Sequence, residues 1–234
     1  MEQLHHQLRE TPTLVPLSAS LVADGVDVKN CTYFNSNTVP LKLVLNSRGS
    51  DAVIKAIYKV GDDLRQDMLT LQMIRVMDRL WLKAGLDLRM VSFKCVPTGW
   101  KAGIVEFVED ASTLRQIQAA SNSVTGSFKP EVLNDWLRRH NPGPNEFDSA
   151  VKNFTRSCAG YSVVTYIMGI GDRHNDNIMV KTTGHLFHID FGKFLGDAQM
   201  FGNIKRDRVP FVLTPDLAYV TTEGETGTRK FPTL

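Results

Sequence analysis

Cysteine is scarce in this chain. Its three residues, Cys31, Cys95 and Cys158, are far apart and odd in number. That excludes a disulfide framework and fits a reducing compartment. A charge excess is also missing: 27 Lys and Arg stand against 25 Asp and Glu, which leaves +2 and a pI near 8.4. Nucleic-acid binding driven by bulk charge is therefore not expected, and no nucleic-acid partner is called for. No apolar run approaches the ~18 residues of a membrane-spanning helix. The N-terminal stretch carries His5, His6, Arg9, Pro12 and Pro16 without a long apolar segment, so no signal peptide is expected. Internal repeats, low-complexity tracts and a glycine-rich phosphate loop are lacking too. What is present is 42% hydrophobic residues over 234 positions, ample for a core in one domain or two small lobes.

Residues 1 to about 50 hold short apolar pieces punctuated by Pro12, Pro16, Gly25 and Pro40. Leu41 to Leu45 and Asp51 to Lys59 read as strands. Asp62 and Asp63 can cap a helix carrying Leu64, Met68, Leu71, Met77 and Trp81 on one stripe, with Gly85 as its stop. Leu88 to Val96 and Gly103 to Val108 read as two further strands, joined by a turn at Pro97-Thr98-Gly99. The first 110 residues thus suggest an antiparallel sheet with one long helix. After Val108 the pattern turns helical: Ser112 to Gln118, then Pro130 to His140 after a polar loop at 119–130. A break follows at Asn141-Pro142-Gly143-Pro144. A long helix then carries Phe147, Val151, Phe154, Cys158, Tyr161 and Thr165 and ends before Gly169. The expected division is 1–108 and 109–234, with the chemistry at the seam.

The densest chemistry follows that last helix. Gly171-Asp172-Arg173-His174-Asn175-Asp176-Asn177 sets an acid, a base and amides on one tight loop, and Asp190-Phe191-Gly192 comes thirteen residues after Asn177. Between them, Ile178-Met179-Val180 and Leu186-Phe187-His188-Ile189 flank a polar turn. That reads as a hairpin which returns Asp190 to the neighbourhood of Asn177. Two oxygen donors suit Mg²⁺ carrying substrate phosphates. Protein kinases use the same parts, a catalytic Asp, an Asn five residues on and an Asp-Phe-Gly, but place the His before the Asp. His174 can take a hydroxyl proton near neutral pH. Asp172 could be that base instead, or could orient the His and receive charge from Arg173.

Other candidates are weaker alone. Lys59 at a strand end and Asp67 eight residues on could form a phosphate-holding pair. By themselves they read more simply as a solvated lysine and a helix N-terminal acid; the downstream block reverses that preference. Ser36, in Tyr33-Phe34-Asn35-Ser36-Asn37, could lie over a phosphate or in an ordinary turn. Glu106-Phe107-Val108 could offer backbone groups to an adenine edge. Lys205-Arg206-Asp207-Arg208, with Lys193 nearby, lies beyond Asp190 where a phosphorylated substrate would enter. Each such cation is worth ~1 kcal/mol near an anionic surface, enough to bias a headgroup and too little to anchor a protein.

Together these pieces resemble the phosphoinositide 3-kinase family over nearly the whole chain. Gly61-Asp62-Asp63-Leu64-Arg65-Gln66-Asp67, Gly171 to Val180 and Phe187 to Gly192 carry the resemblance. Cys31 to Asn37, Met68 to Leu82 and Lys193 to Arg206 bring it nearest to the class II enzymes. The resemblance implies an α+β, two-lobed protein-kinase-like fold: an antiparallel sheet plus one long helix in the N-lobe, and a mainly helical, incomplete C-lobe. It implies transfer of the ATP γ-phosphate to the inositol 3-hydroxyl, with Mg²⁺, or Mn²⁺ or Ca²⁺ in its place. By motif, His174 would be the base, with Asp172 and Arg173 beside it; Asn177 and Asp190 would hold the metal. Ser36, Lys59, Asp67, Glu106, Val108 and Ile189 would meet ATP. Lys193, Lys205, Arg206 and Arg208 would meet the lipid headgroup. Gly196-Asp197-Ala198-Gln199 lacks the second basic cluster of members that use the bisphosphorylated lipid, so phosphatidylinositol and its 4-phosphate are the expected substrates. The family's lobe continues past residue 234, so a fragment or a truncated gene product is expected, with regulators acting through regions absent here. The expected location is cytoplasmic, peripheral on endosomal or plasma membranes. The competing readings are an atypical protein Ser/Thr kinase of the related group and an inactive nucleotide-binding fragment.

Overall fold

The computed structural model describes residues 1–36, 38–49, 52–121, 129–193, 195, 200–201, 204–205 and 213–222. Its contacts divide the chain into two compact units, Met1–Met73 with Ser92–Val108, and Ile74–Val91 with Glu109–Leu234. One boundary falls after Val108, and residues 74–91 group with the second unit.

The first unit is built on a seven-stranded antiparallel sheet. Helix α1 (Glu2–Glu10) and strands β1 (Thr13–Leu14), β2 (Val22–Val26), β3 (Thr32–Tyr33), β4 (Leu41–Ser47) and β5 (Val53–Val60) come first. Helix α2 (Arg65–Lys83) and strands β6 (Cys95–Gly99) and β7 (Ala102–Glu106) follow. The order is β1-β2-β4-β5-β7-β6, with β3 also on β4. Alternate residues Leu43 and Leu45, and Ile54 and Ala56, enter one core with Leu8, Val26 and Ile104, as the two-residue period of a strand requires. Helix α1 has no strong apolar stripe in sequence. A tertiary contact holds it: Leu8 enters the core and His5 Nδ1 accepts the Val26 N–H at 3.1 Å.

Helix α2 starts as expected, where an Asp63 carboxylate oxygen accepts the Arg65 N–H. It ends in a Schellman motif: Gly85, at φ +80°, donates to Leu82 and Leu86 donates to Trp81. The strand expected over Leu88–Val96 is present only from Cys95. Asp87 accepts the Arg89 N–H at 3.0 Å in a side-chain turn, and Arg89 sits at φ +52°, so extended pairing cannot start there. Leu88 and Phe93 are buried without a ladder, and the Val91 carbonyl accepts from the Tyr161 hydroxyl instead. Pro97 and Gly99 belong to β6, and the hairpin turn is Trp100-Lys101.

In the second unit, β8 (Ala111–Thr113), α3 (Leu114–Ala119), α4 (Glu131–His140) and α5 (Pro144–Ile167) precede β9 (Ile178–Lys181) and β10 (Leu186–His188). A small pair, β11 (Met200–Phe201) and β12 (Ile204–Lys205), and helix α6 (Pro215–Thr221) complete it. The expected helix over Ser112–Gln118 starts two residues late. Residues 111–113 pair with β9, and Thr113 is then the N-cap, closing a capping box with Gln116. Pro130 is likewise the N-cap of α4 rather than its first residue, and Pro144 opens α5. Helix α5 is the spine of this unit: Val151, Phe154, Cys158, Tyr161 and Thr165 are buried on one stripe, and Ser157 Oγ accepts the Leu186 N–H of β10.

Candidate active site

The loop that carries Asp172, Arg173 and His174 begins where α5 stops. Gly169, at φ +55°, turns the chain, and Ile170 donates back to Thr165. The expected hairpin then forms, with Ile178 opposite His188 and Val180 opposite Leu186. It brings the two halves of the motif together: the Ile189 N–H donates to the Asn177 carbonyl at 3.0 Å. Arg173 ties the same join. Its guanidinium donates to the carbonyls of Gly171 and Ile189, both at 2.9 Å, and to that of Asp190. The sequence grouped Arg173 with the catalytic side chains; these three bonds go to backbone and brace the join.

Asn177 is 3% exposed. Its Oδ1 accepts the His174 N–H at 2.9 Å and its amide donates to the Asp172 carbonyl. One lone pair of Oδ1 remains for a cation. Asp172 and Asp190 both adopt left-handed backbone, φ +57° and +59°. Side chains with a Cβ pay strain there, and such residues cluster where a structure aims a functional group. Among the described residues no group of three or more His, Cys, Asp and Glu could enclose a metal. The Asn177 amide oxygen and the Asp190 carboxylate are hard oxygen donors, the type Mg²⁺ takes alongside phosphate oxygens and water.

His174 has a side chain 42% exposed. Its Nε2 lies 3.9 Å from Asp172 Oδ2, and its Nδ1 is 3.2 Å from the Asp176 N–H and 4.0 Å from Asp176 Oδ2. The imidazole thus stands between two carboxylates. Asp176, which sequence reading passed over, also meets Arg115 of α3 at 2.8 Å. A loop written Asp-Arg-His-Asn-Asp-Asn hinted at a second acid, but nothing in the sequence joined it to a residue sixty-one positions earlier. His188 is fully buried and stacked on Tyr161 with centroids 4.8 Å apart. Burial, then the Arg173 charge, holds its pKa well below the ordinary value. After Asp190 the chain folds back on the loop, with Lys193 accepting from Gly171 and Leu195 donating to Met168. Arg206, Arg208 and the side chain of Lys205 lie outside the described residues, as do Asn37 and residues 196–199.

In the first unit Lys59 stands near the end of β5, paired across the ladder with Gly103. Its ammonium meets Asp62 at 3.6 Å, three residues on. Asp67 lies in the first turn of α2. Both charges are felt by the Cys95 thiol: burial pushes it up to about 12, Asp67 adds to the rise, and Lys59 opposes it. Ser36 sits in an exposed turn, donating to Phe34 and accepting from Val39. Glu106 closes β7, its N–H on the Lys94 carbonyl and its carboxylate on the Lys94 N–H, while Phe107 donates to Lys55. Val108 follows, half-buried.

Comparison with known proteins bears on residues from both units. The family described as phosphatidylinositol 3- and 4-kinase matches residues 53–231. Over 218 residues the chain is 59% identical to the human phosphatidylinositol 4-phosphate 3-kinase C2 domain-containing subunit beta, covering 93% of this chain and 13% of that protein. It is 55% identical to the alpha subunit of Pongo abelii, over 99% of this chain and 14% of that one. It is 44% identical to phosphatidylinositol 3-kinase 3 of Dictyostelium discoideum, over 94% of this chain and 13% of the relative. The chain spans about a seventh of the length of these curated relatives.

Proposed function

The chain belongs to the phosphatidylinositol 3- and 4-kinase family, and on that premise we propose that it is the catalytic core of a class II type phosphatidylinositol 3-kinase. It transfers the ATP γ-phosphate to the 3-hydroxyl of phosphatidylinositol or its 4-phosphate, at the cytoplasmic face of endosomal or plasma membranes. The names of its relatives support the reaction class. The observation that carries the reading is the hydrogen-bonded join of loop 171–177 to the strand delivering Asp190, through Ile189 on Asn177 and Arg173 on Ile189 and Asp190.

Phosphoryl transfer asks mainly for positioning and charge stabilisation. Lys59 holds phosphate oxygens, Asp67 supports that site, and Ser36 covers it. Glu106 and Val108 offer backbone groups to adenine, and Ile189 packs near the nucleotide. Asn177 and Asp190 would hold Mg²⁺, which neutralises the charge of the transferring phosphates. His174 takes the 3-hydroxyl proton. In the structure Nδ1 accepts the Asp176 N–H at 3.2 Å; for Nε2 to take the proton, Nδ1 must carry the ring hydrogen instead, and the Asp176 carboxylate 4.0 Å away then becomes its partner. Asp172, 3.9 Å from Nε2, then stabilises the imidazolium. Lys193, Lys205, Arg206 and Arg208 bind the headgroup phosphate.

The test is phosphate transfer by the full-length protein to vesicles of phosphatidylinositol, its 4-phosphate and its bisphosphate, and to a basic peptide. We expect transfer to the first two lipids, little to the third, and a loss of roughly 100-fold or more in His174→Ala and Asp190→Ala. Changing Lys205, Arg206 and Arg208 to Ala should lower turnover of the 4-phosphate most. If 4-phosphate turnover is untouched, the loop is misassigned. Transfer to peptide alone would make this a protein kinase, and Mg·ATP binding without transfer would make it a nucleotide-binding scaffold.

A further inference from the structure

Helix α3 touches two segments of the second unit that are far apart in sequence, the loop of Asn175 and the start of α6. One side of it is fixed in the core, where Leu114 and Ile117 are 1% exposed. Its polar groups reach the catalytic loop: the Arg115 N–H donates to the Asn175 carbonyl at 2.9 Å, and its guanidinium meets Asp176. Gln118 then forms a bridge. Its Oε1 accepts from Asn175 Nδ2 at 2.9 Å, and its Nε2 donates to Asp216 Oδ2 at 3.3 Å. Asp216 stands in the first turn of α6, shortly after the segment that carries Lys205, Arg206 and Arg208. The other oxygen of Asp216 accepts from Thr214, and α6 is anchored by the fully buried Leu217 and Val220.

A side-chain amide matches both partners at once, its carbonyl facing an NH₂ and its own NH₂ facing a carboxylate. A Glu there would keep the bond from Asn175 but set carboxylate against carboxylate at Asp216. We infer that Gln118 is a positioning residue that couples the catalytic loop to the far end of the substrate loop, so that headgroup selectivity and the placement of His174 are set together. This rests on reading the segment after Asp190 as the lipid-selecting loop. Because the Asp176 N–H holds the His174 ring, moving Asn175 moves the base.

The experiment compares wild type, Gln118→Glu and the double variant Gln118→Glu/Asp216→Asn in the full-length protein. In the double variant the pair is inverted: the residue-118 carboxylate faces a residue-216 amide, and the hydrogen bond returns. We expect Gln118→Glu to shift the ratio of phosphatidylinositol to 4-phosphate turnover by about tenfold, the scale of one charge-assisted hydrogen bond, with KM for ATP unchanged. Amide exchange over residues 170–180 should quicken. The double variant should return both readouts towards wild type. A purely structural role for Gln118 would change total activity and leave the ratio alone. An unchanged ratio, or a double variant no better than the single one, overturns the coupling. If wild type modifies neither lipid, the lipid-kinase reading fails, and restored exchange alone decides whether the bridge stands.

Discussion

Asp172 and Asp190 sit on the only two left-handed non-glycine backbones within the catalytic loop and the Asp-Phe-Gly strand end, among the described residues. Each is held by a neighbour's hydrogen bonds. Asn177 donates to the Asp172 carbonyl, and Arg173 donates to the Asp190 carbonyl. The motif is therefore self-bracing: the residues read as base, metal ligands and charge partner also lock one another's backbone. That bracing was invisible in sequence, where Arg173 was grouped with the catalytic residues as a charge partner. The thiols give a check at the same scale. Burial pushes Cys95 up to about 12 and Cys158 up to about 11, whereas Cys31 is half-exposed. Because the thiolate is the reacting form, the two buried residues present roughly one thiolate in a thousand or fewer at pH 8. Native protein treated with iodoacetamide at pH 8 should label at Cys31 alone, and denatured protein at all three, as read by mass spectrometry. Native labelling of Cys95 at the rate of Cys31 would contradict its burial.

The β9–β10 hairpin is the element that makes the site, and its turn is unforgiving. Gly184, at φ +90°, packs so closely that a Cβ would lie 2.0 Å from the Ala150 carbonyl oxygen of α5. Gly85 ends α2 at a similar φ of +80°, yet a Cβ there meets nothing within 4 Å. Gly85→Ala should cost roughly 1 kcal/mol, the backbone strain alone. Gly184→Ala should cost more than ~3 kcal/mol, because backbone must move away from backbone. Thermal unfolding of the two variants separates these cases, and equal shifts would argue against the close approach. Both glycines could be read as punctuation in sequence. Only the packing of the turn on α5 distinguishes them. Strand β8 has the same lesson: Ser112 and Thr113 look like the start of a helix until β9 supplies a partner for their backbone.

At the scale of the whole molecule, two units each carry their own core, and residues assigned to ATP come from both. Among the described residues no helix is long and apolar enough to cross a membrane. A ligand that binds only the folded chain stabilises it by mass action, so Mg·ATP at about a hundred times Kd should add ~2.7 kcal/mol. A thermal-shift titration should show this rise in wild type and much less of it in Lys59→Ala; an equal rise in both would remove Lys59 from the site. The sequence by itself determined the α+β class, the long helices and the residue types gathered on the 171–177 loop. Those rest on short-range signals: apolar period, caps, and an acid, a base and amides packed into seven consecutive residues. Tertiary structure alone decided the rest. It placed α1 through His5 on Val26, denied Leu88–Lys94 a ladder, turned Arg173 onto carbonyls, and set Arg115 and Gln118 of α3 on the catalytic loop. Each of these pairs partners between 16 and 61 residues apart, or withholds a partner, and local pattern carries no record of such distances.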